Sequence, residues 1–143
     1  MRSTLRCARL RSADMLAVDT NVIVRYVVGD GGEQFTRAVE ILEKNNVSIA
    51  LTVVLETEWV LRDAYEFSRE EVFYALEKLF GLPTVNVADP AAVQRAMTLA
   101  MSGMDFADAL HLAQSRKCEA FLTFDKQLAK RASRGAGAVV RLA

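Results

Sequence analysis

At 143 residues, 52% hydrophobic and 25% charged, the chain is long enough to bury one sizeable core and too short to divide comfortably into two. Eighteen basic residues balance eighteen acidic ones, so no global field draws the protein to nucleic acid or membrane, and any nucleic-acid binding must come from a local patch. No stretch approaches the roughly 20 apolar residues of a transmembrane helix, and Cys7 and Cys118 match neither a metal spacing nor a disulfide framework, which fits a reducing cytoplasm.

Residues 1–14, MRSTLRCARLRSAD, are basic and lack the apolar centre of a secretory signal, so they read as a disordered extension. Met15 directly precedes the first apolar run, and translation is expected to begin there, with a single domain over 15–143. From that point short β-rich runs alternate with helical ones, the pattern of a parallel sheet covered by helices. Met15 to Val18 predicts a strand, Asn21 to Val28 a short helix, and Gly-Asp-Gly-Gly at 29–32 a break. Glu33 to Lys44 carries Phe35, Ala38, Val39, Ile41 and Leu42 at helical spacing. Val47 to Leu51 predicts a second strand, and Thr52 can cap a helix running to about Tyr65. SREE at 68–71 is a capping-box signature for a helix that ends at Phe80, before Gly81-Leu82-Pro83. Thr84 to Val87 predicts a third strand, and Asp89-Pro90 opens a helix that Gly103 closes. Asp105 to Arg116 is helical, Ala120 to Phe124 a fourth strand, and Asp125 caps a short basic helix. Arg134-Gly-Ala-Gly is a loose turn before a last strand over Ala138 to Leu142.

The chemistry lies in the acids. Asp19 follows the first strand and Asp125 the fourth, and open parallel sheets collect ligands beyond the carboxyl ends of their strands. Each could merely cap the next helix, but two at one edge favour function. Glu56 and Glu58 point to nearly opposite faces of one helix. Glu58 has Arg62 four residues on, an ordinary helical ion pair, whereas Glu56 has Val53, Trp59 and Val60 on its face and no cation, so Glu56 is the better candidate. Asp105 and Asp108 share a face at the start of DFADALHLAQ. Asp108 is assigned to the site, with Asp105 as the cap or an auxiliary ligand.

If Asp19, Glu56, Asp108 and Asp125 converge, they need a cation, because two like charges about 4 Å apart cost several kcal/mol even at an effective dielectric near 20. Carboxylates without His or Cys partners select Mg²⁺ or Mn²⁺ over zinc. Such ions promote phosphodiester hydrolysis by water.

The segments LAVDTNVIVRYV (16–27), LTVVLETEWVLRDAY (51–65), FSREEV (67–72), MDFADALHLA (104–113) and FLTFDKQLAK (121–130), in this order, resemble a VapC-type PIN domain, the ribonuclease toxin of bacterial toxin–antitoxin pairs. The resemblance covers Met15 to about Lys130. It implies an α/β three-layer sandwich, a central parallel sheet with helices on both faces. It also implies one or two Mg²⁺ or Mn²⁺ ions on Asp19, Glu56, Asp108 and Asp125, with Asp105 as a further candidate ligand. The implied activity is cleavage of single-stranded regions of RNA, a tRNA or another structured RNA, and the implied partners are a second copy of the chain in a homodimer and a VapB-type antitoxin that occupies the site. Thr20 and Asn21 resemble the family's polar pair beside the metal. Thr20 is placed to orient Asp19 or to cap the following helix, and with Asn21 and Arg25 it makes up the candidate substrate-binding set.

Arg25, Lys126, Lys130 and Arg131 are candidates for a local basic rim. His111 is left out of the mechanism, and Trp59 reads as core or dimer surface. A catalytically idle RNA- or protein-binding module is the alternative, disfavoured because no acid of the set is missing. A phosphatase using Asp19 as nucleophile is disfavoured because VDTN lacks the second acid two residues on.

Overall fold

The computed structural model describes residues 14–132 and 139–143. β1 (Leu16–Ala17) is followed by α1 (Thr20–Val28) and α2 (Glu33–Lys44), and β2 (Val47–Ile49) by α3 (Leu51–Asp63) and α4 (Arg69–Phe80). β3 (Val85–Val87) leads into α5 (Pro90–Met101) and α6 (Phe106–Gln114), and β4 (Phe121–Thr123) into α7 (Lys126–Ala132) and β5 (Val140–Leu142). Parallel neighbours need a crossover, which the intervening helices supply. β1 pairs with β2 and β2 with β3, Leu16 opposite Val47 and Val47 opposite Val85. β4 pairs with β5, Phe121 opposite Val140. The expected parallel α/β architecture is thus what forms, its strands divided between a three-stranded and a two-stranded sheet. β1 is only two residues long, and its ladder runs to β2.

Local chemistry sets most of the joints. Gly29 closes α1 in the left-handed region at φ 62°, donating its N–H to the Arg25 carbonyl. Ser68 and Glu71 form the full capping box of α4, and Asp89 caps α5 with Pro90 at the first helical position. One joint differs from expectation: α3 begins at Leu51 behind Ala50, which gives no side-chain cap, so Thr52 lies inside the first turn and caps nothing. The chain passes from β2 into α3 through a single extended residue, leaving no room for a capping side chain one position later. The loose turn expected from Arg134 and the extension expected over 1–14 lie outside the described residues, Asp14 apart.

The core unites all three long helical pairs. α5 packs on α6 more extensively than any other two elements among the described residues. Both helices bury alanines, Ala96 and Ala100 in one and Ala109 and Ala113 in the other, small side chains that let two backbones approach closely. Phe73 of α4 meets Phe106 of α6 with ring centroids 5.5 Å apart and planes tilted by 50°. Because Phe106 is fully buried, the residues around it, Asp105 and Asp108, are held in fixed register at the start of α6. Arg69, at the start of α4, donates to the Ala100 carbonyl near the end of α5. Trp59 is 53% exposed, which removes it from the core. No helix among the described residues is long and apolar enough to cross a membrane.

Candidate active site

Three strands end two residues before an aspartate: Asp19 after β1, Asp89 after β3 and Asp125 after β4. In each case the chain turns from strand to helix, and the carboxylate receives helix N–H groups. Asp19 Oδ1 accepts from Val22 N–H at 3.3 Å. Asp125 Oδ1 accepts from Gln127 and Leu128 N–H at 2.9 and 3.1 Å, while Thr123 Oγ1 accepts the Asp125 N–H at 3.0 Å. At the start of α6, Asp105 accepts the Asp108 N–H at 3.2 Å. A carboxylate here sits in the favourable field of the helix N-terminus, so Asp19, Asp105 and Asp125 all perform the capping role that the sequence also offered.

Asp108 is different. It is half-buried, and its carboxyl is pushed above the usual range, first by burial and then by the charge of Asp105; His111 opposes this and Asp125 adds to it. Asp105, Asp108 and Asp125 therefore share one electrostatic neighbourhood, where the amino end of α6 approaches the carboxyl end of β4. Arg62 of α3 reaches the same neighbourhood: Glu58 raises its pKa most, through a hydrogen bond, and Asp105 adds to the effect. His111, left aside in the sequence reading, is exposed, and its charge acts to lower the Asp108 pKa.

The expected convergence of Asp19, Glu56, Asp108 and Asp125 is looser than predicted. Among the described residues, no three His, Cys, Asp or Glu side chains stand close enough together to hold one ion. Like charges repel, and Asp19, Asp105 and Asp125 each find compensation at a separate helix end. The donor chemistry nonetheless suits a hard cation, since the neighbourhood of Asp108 offers carboxylates with a lone imidazole at its edge.

The two glutamates of α3 are reversed relative to the reason given for choosing between them. Glu58 is only 3% exposed, and its Oε1 accepts from Arg62 Nε at 2.9 Å, the helical ion pair expected from the spacing. Glu56 is exposed. The apolar neighbours counted along the helix do not enclose it, because the face that α3 buries is marked by Val54, Thr57, Glu58 and Leu61.

Beside Asp19, α1 and α2 enclose a crevice of about 280 Å³. Asn21 and Arg25 line it from α1, and Gln34 and Arg37 from α2. Arg25 is held by a 3.0 Å ion pair to Asp30, yet its Nε is buried without a hydrogen-bond partner. Thr20 is buried, and since Asp19 is the cap of α1, Thr20 does not perform that role. Of the remaining cations in the expected basic rim, Lys126 is exposed and Arg131 donates to the Gly103 carbonyl at 2.7 Å.

Two features escaped the sequence reading. Arg116 Nη2 and Nη1 hold Asp89 at 3.1 and 3.3 Å, and this guanidinium keeps the Asp89 carboxyl below the usual range. A partner 27 residues away leaves no local spacing to read. Gln34 and Arg37 of α2 line the crevice beside Asp19, and nothing in the order of residues reveals it.

The PIN domain family model matches residues 16–134, from β1 through α7, and so includes all five acids of the expected metal set. No curated protein matches the chain. PIN domains are in general nucleases that depend on divalent metal ions. With the match spanning well over half of its residues, a parallel α/β frame and acids at the carboxyl ends of its strands, the chain belongs to the PIN domain family.

Proposed function

We propose that the protein is a Mg²⁺- or Mn²⁺-dependent endoribonuclease of the VapC type, acting in the cytoplasm as a homodimer on a structured RNA such as a tRNA and restrained by a VapB-type antitoxin. The observation that carries this reading is the electrostatic neighbourhood of Asp105, Asp108 and Asp125 at the edge where parallel-sheet proteins hold ligands, in a chain of a nuclease family. Asp108 is the centre of it: an acid raised by burial first and then by the charge of Asp105 is stabilised in its ionised form by whatever brings positive charge to it.

Asp19, Glu56, Asp108 and Asp125 would hold the ion by drawing together around it, with Asp105 as auxiliary ligand. A divalent ion bound there supplies charge neutralisation at a phosphodiester and a water more acidic than bulk. The helix caps made by Asp19 and Asp125 fix those two carboxylates at their strand ends. Glu56 is exposed on α3.

The test is cleavage of total RNA by purified protein with Mg²⁺ or Mn²⁺, beside the same reaction with chelator and with Asp19→Asn or Asp108→Asn. Each change is expected to lower the rate by about 100-fold or more. Equal cutting in all arms overturns the reading, as does RNA binding without any cutting, the mark of an idle module. Light scattering of the purified protein is expected to give twice the chain mass, and a single-chain mass at micromolar concentration ends the dimer.

A further inference from the structure

We propose that the crevice between α1 and α2 is a subsite for one unpaired nucleotide next to the cleaved bond, formed by Arg25, Arg37, Asn21 and Gln34. The proposal takes its ligand class from the nuclease reading. Its support is the crevice itself. At about 280 Å³ it lies just below the roughly 300 Å³ at which ligand cavities begin, a size suited to one small group.

Its lining combines the two chemistries that a nucleotide presents. Arg25 is fixed by Asp30 through Nη1 at 3.0 Å, while its buried Nε–H has no acceptor. Arg25 lines the crevice, so an anionic oxygen entering it meets a guanidinium already held in place by Asp30. Arg37 pairs with Glu40 at 3.1 Å on the open surface, its side chain 72% exposed, and such pairs hold too weakly to keep a guanidinium from turning to a phosphate. Asn21 and Gln34, both exposed, each offer a carbonyl acceptor and an NH₂ donor, the complement of a base edge. Val22 and Ile41 add apolar surface to the lining. Asp19 also lines the crevice, so a nucleotide seated there lies beside one of the proposed metal-holding acids.

Chemical-shift mapping with adenosine and uridine 5′-monophosphates, which contain no bond to cut, tests the subsite apart from catalysis. Shifts are expected at the backbone amides of Asn21, Gln34 and Arg37, and Arg37→Glu is expected to abolish them while leaving the far-UV spectrum unchanged. N-acetylglutamate, an anion without a base, is expected to shift few of them. On an oligoribonucleotide the same variant is expected to raise KM about tenfold with little change in kcat, and to reduce the slope of log affinity against log salt by about one. Shifts confined to other elements, no shifts at all, or an equal response to N-acetylglutamate overturn the subsite. Metal-dependent cleavage that Arg37→Glu and Gln34→Ala leave untouched overturns it while sparing the nuclease, and nucleotide binding in the crevice without cleavage does the reverse.

Discussion

Glu56 and Glu58 stand two positions apart on α3 and occupy different media. Glu58 is enclosed and depends on Arg62, whose own side chain still reaches solvent. Arg62→Ala therefore strands a buried carboxylate and is expected to lower stability by about 2 kcal/mol or more, while Glu58→Gln leaves the guanidinium free to hydrate and is expected to cost only about 1 kcal/mol. Urea denaturation of the two variants checks the order, and the reverse order would remove the desolvation account. Glu56→Gln is expected to lower metal-dependent cleavage with no measurable change in the same denaturation midpoint. The ion pair was legible in the sequence because it spans one helical turn. The burial was not, since which side of α3 meets the core is decided by helices distant in sequence. Asp108 carries a pH signature: its raised pKa means the folded chain holds that proton more tightly than the unfolded chain does. The resulting stability is complete below the usual carboxylate range and is lost as pH rises through the raised value. Asp108→Asn is expected to flatten that loss in a pH series of urea midpoints.

Helix ends were the elements easiest to foresee, because a cap and its N–H partner lie three residues apart. Ser68 and Asp89 show it, and α2 and α4 end where their apolar stripes end. The joint at Ala50 shows the limit, since no side chain marks it. Asp89 bears two tasks at the start of α5, accepting the Ala92 N–H at 3.2 Å and holding Arg116, and it does so at φ 44°. Asp89→Ala loses the cap and places alanine in the left-handed region, with an expected loss of about 1–2 kcal/mol, whereas Asp89→Asn keeps the cap and tolerates that backbone. Arg116 lowers the Asp89 pKa, so the stability it gives is present above the usual carboxylate range and disappears as pH falls through the lowered value. Acid titration of the thermal midpoint is expected to be shallower for Asp89→Asn than for the parent chain, and parallel curves would show the pair to be idle.

Across the whole molecule, alternation of strand and helix was enough to give the parallel architecture, and the order of the acids was enough to give the family. The separation of strands into two sheets was not legible, because partner choice depends on contacts between residues far apart in the chain. The nearness of Asp105 to Arg62 and the gathering of Gln34 toward Asp19 escaped for the same reason. The acids were legible as types and positions, while their spacing in space was not. β4, which leads directly to Asp125, has β5 as its ladder partner, with Phe121 N–H donating to Val139 at 2.7 Å and Ala143 N–H to Thr123 at 2.8 Å. Removal of residues 139–143 is expected to free the amides of 121–123 and 128–132 to hydrogen exchange while leaving those of α5 and α6 protected. The same pairing orders the chain's synthesis: Asp125 leaves the ribosome before the strand that pairs with β4, so the edge that carries it is completed only when residues 140–142 emerge.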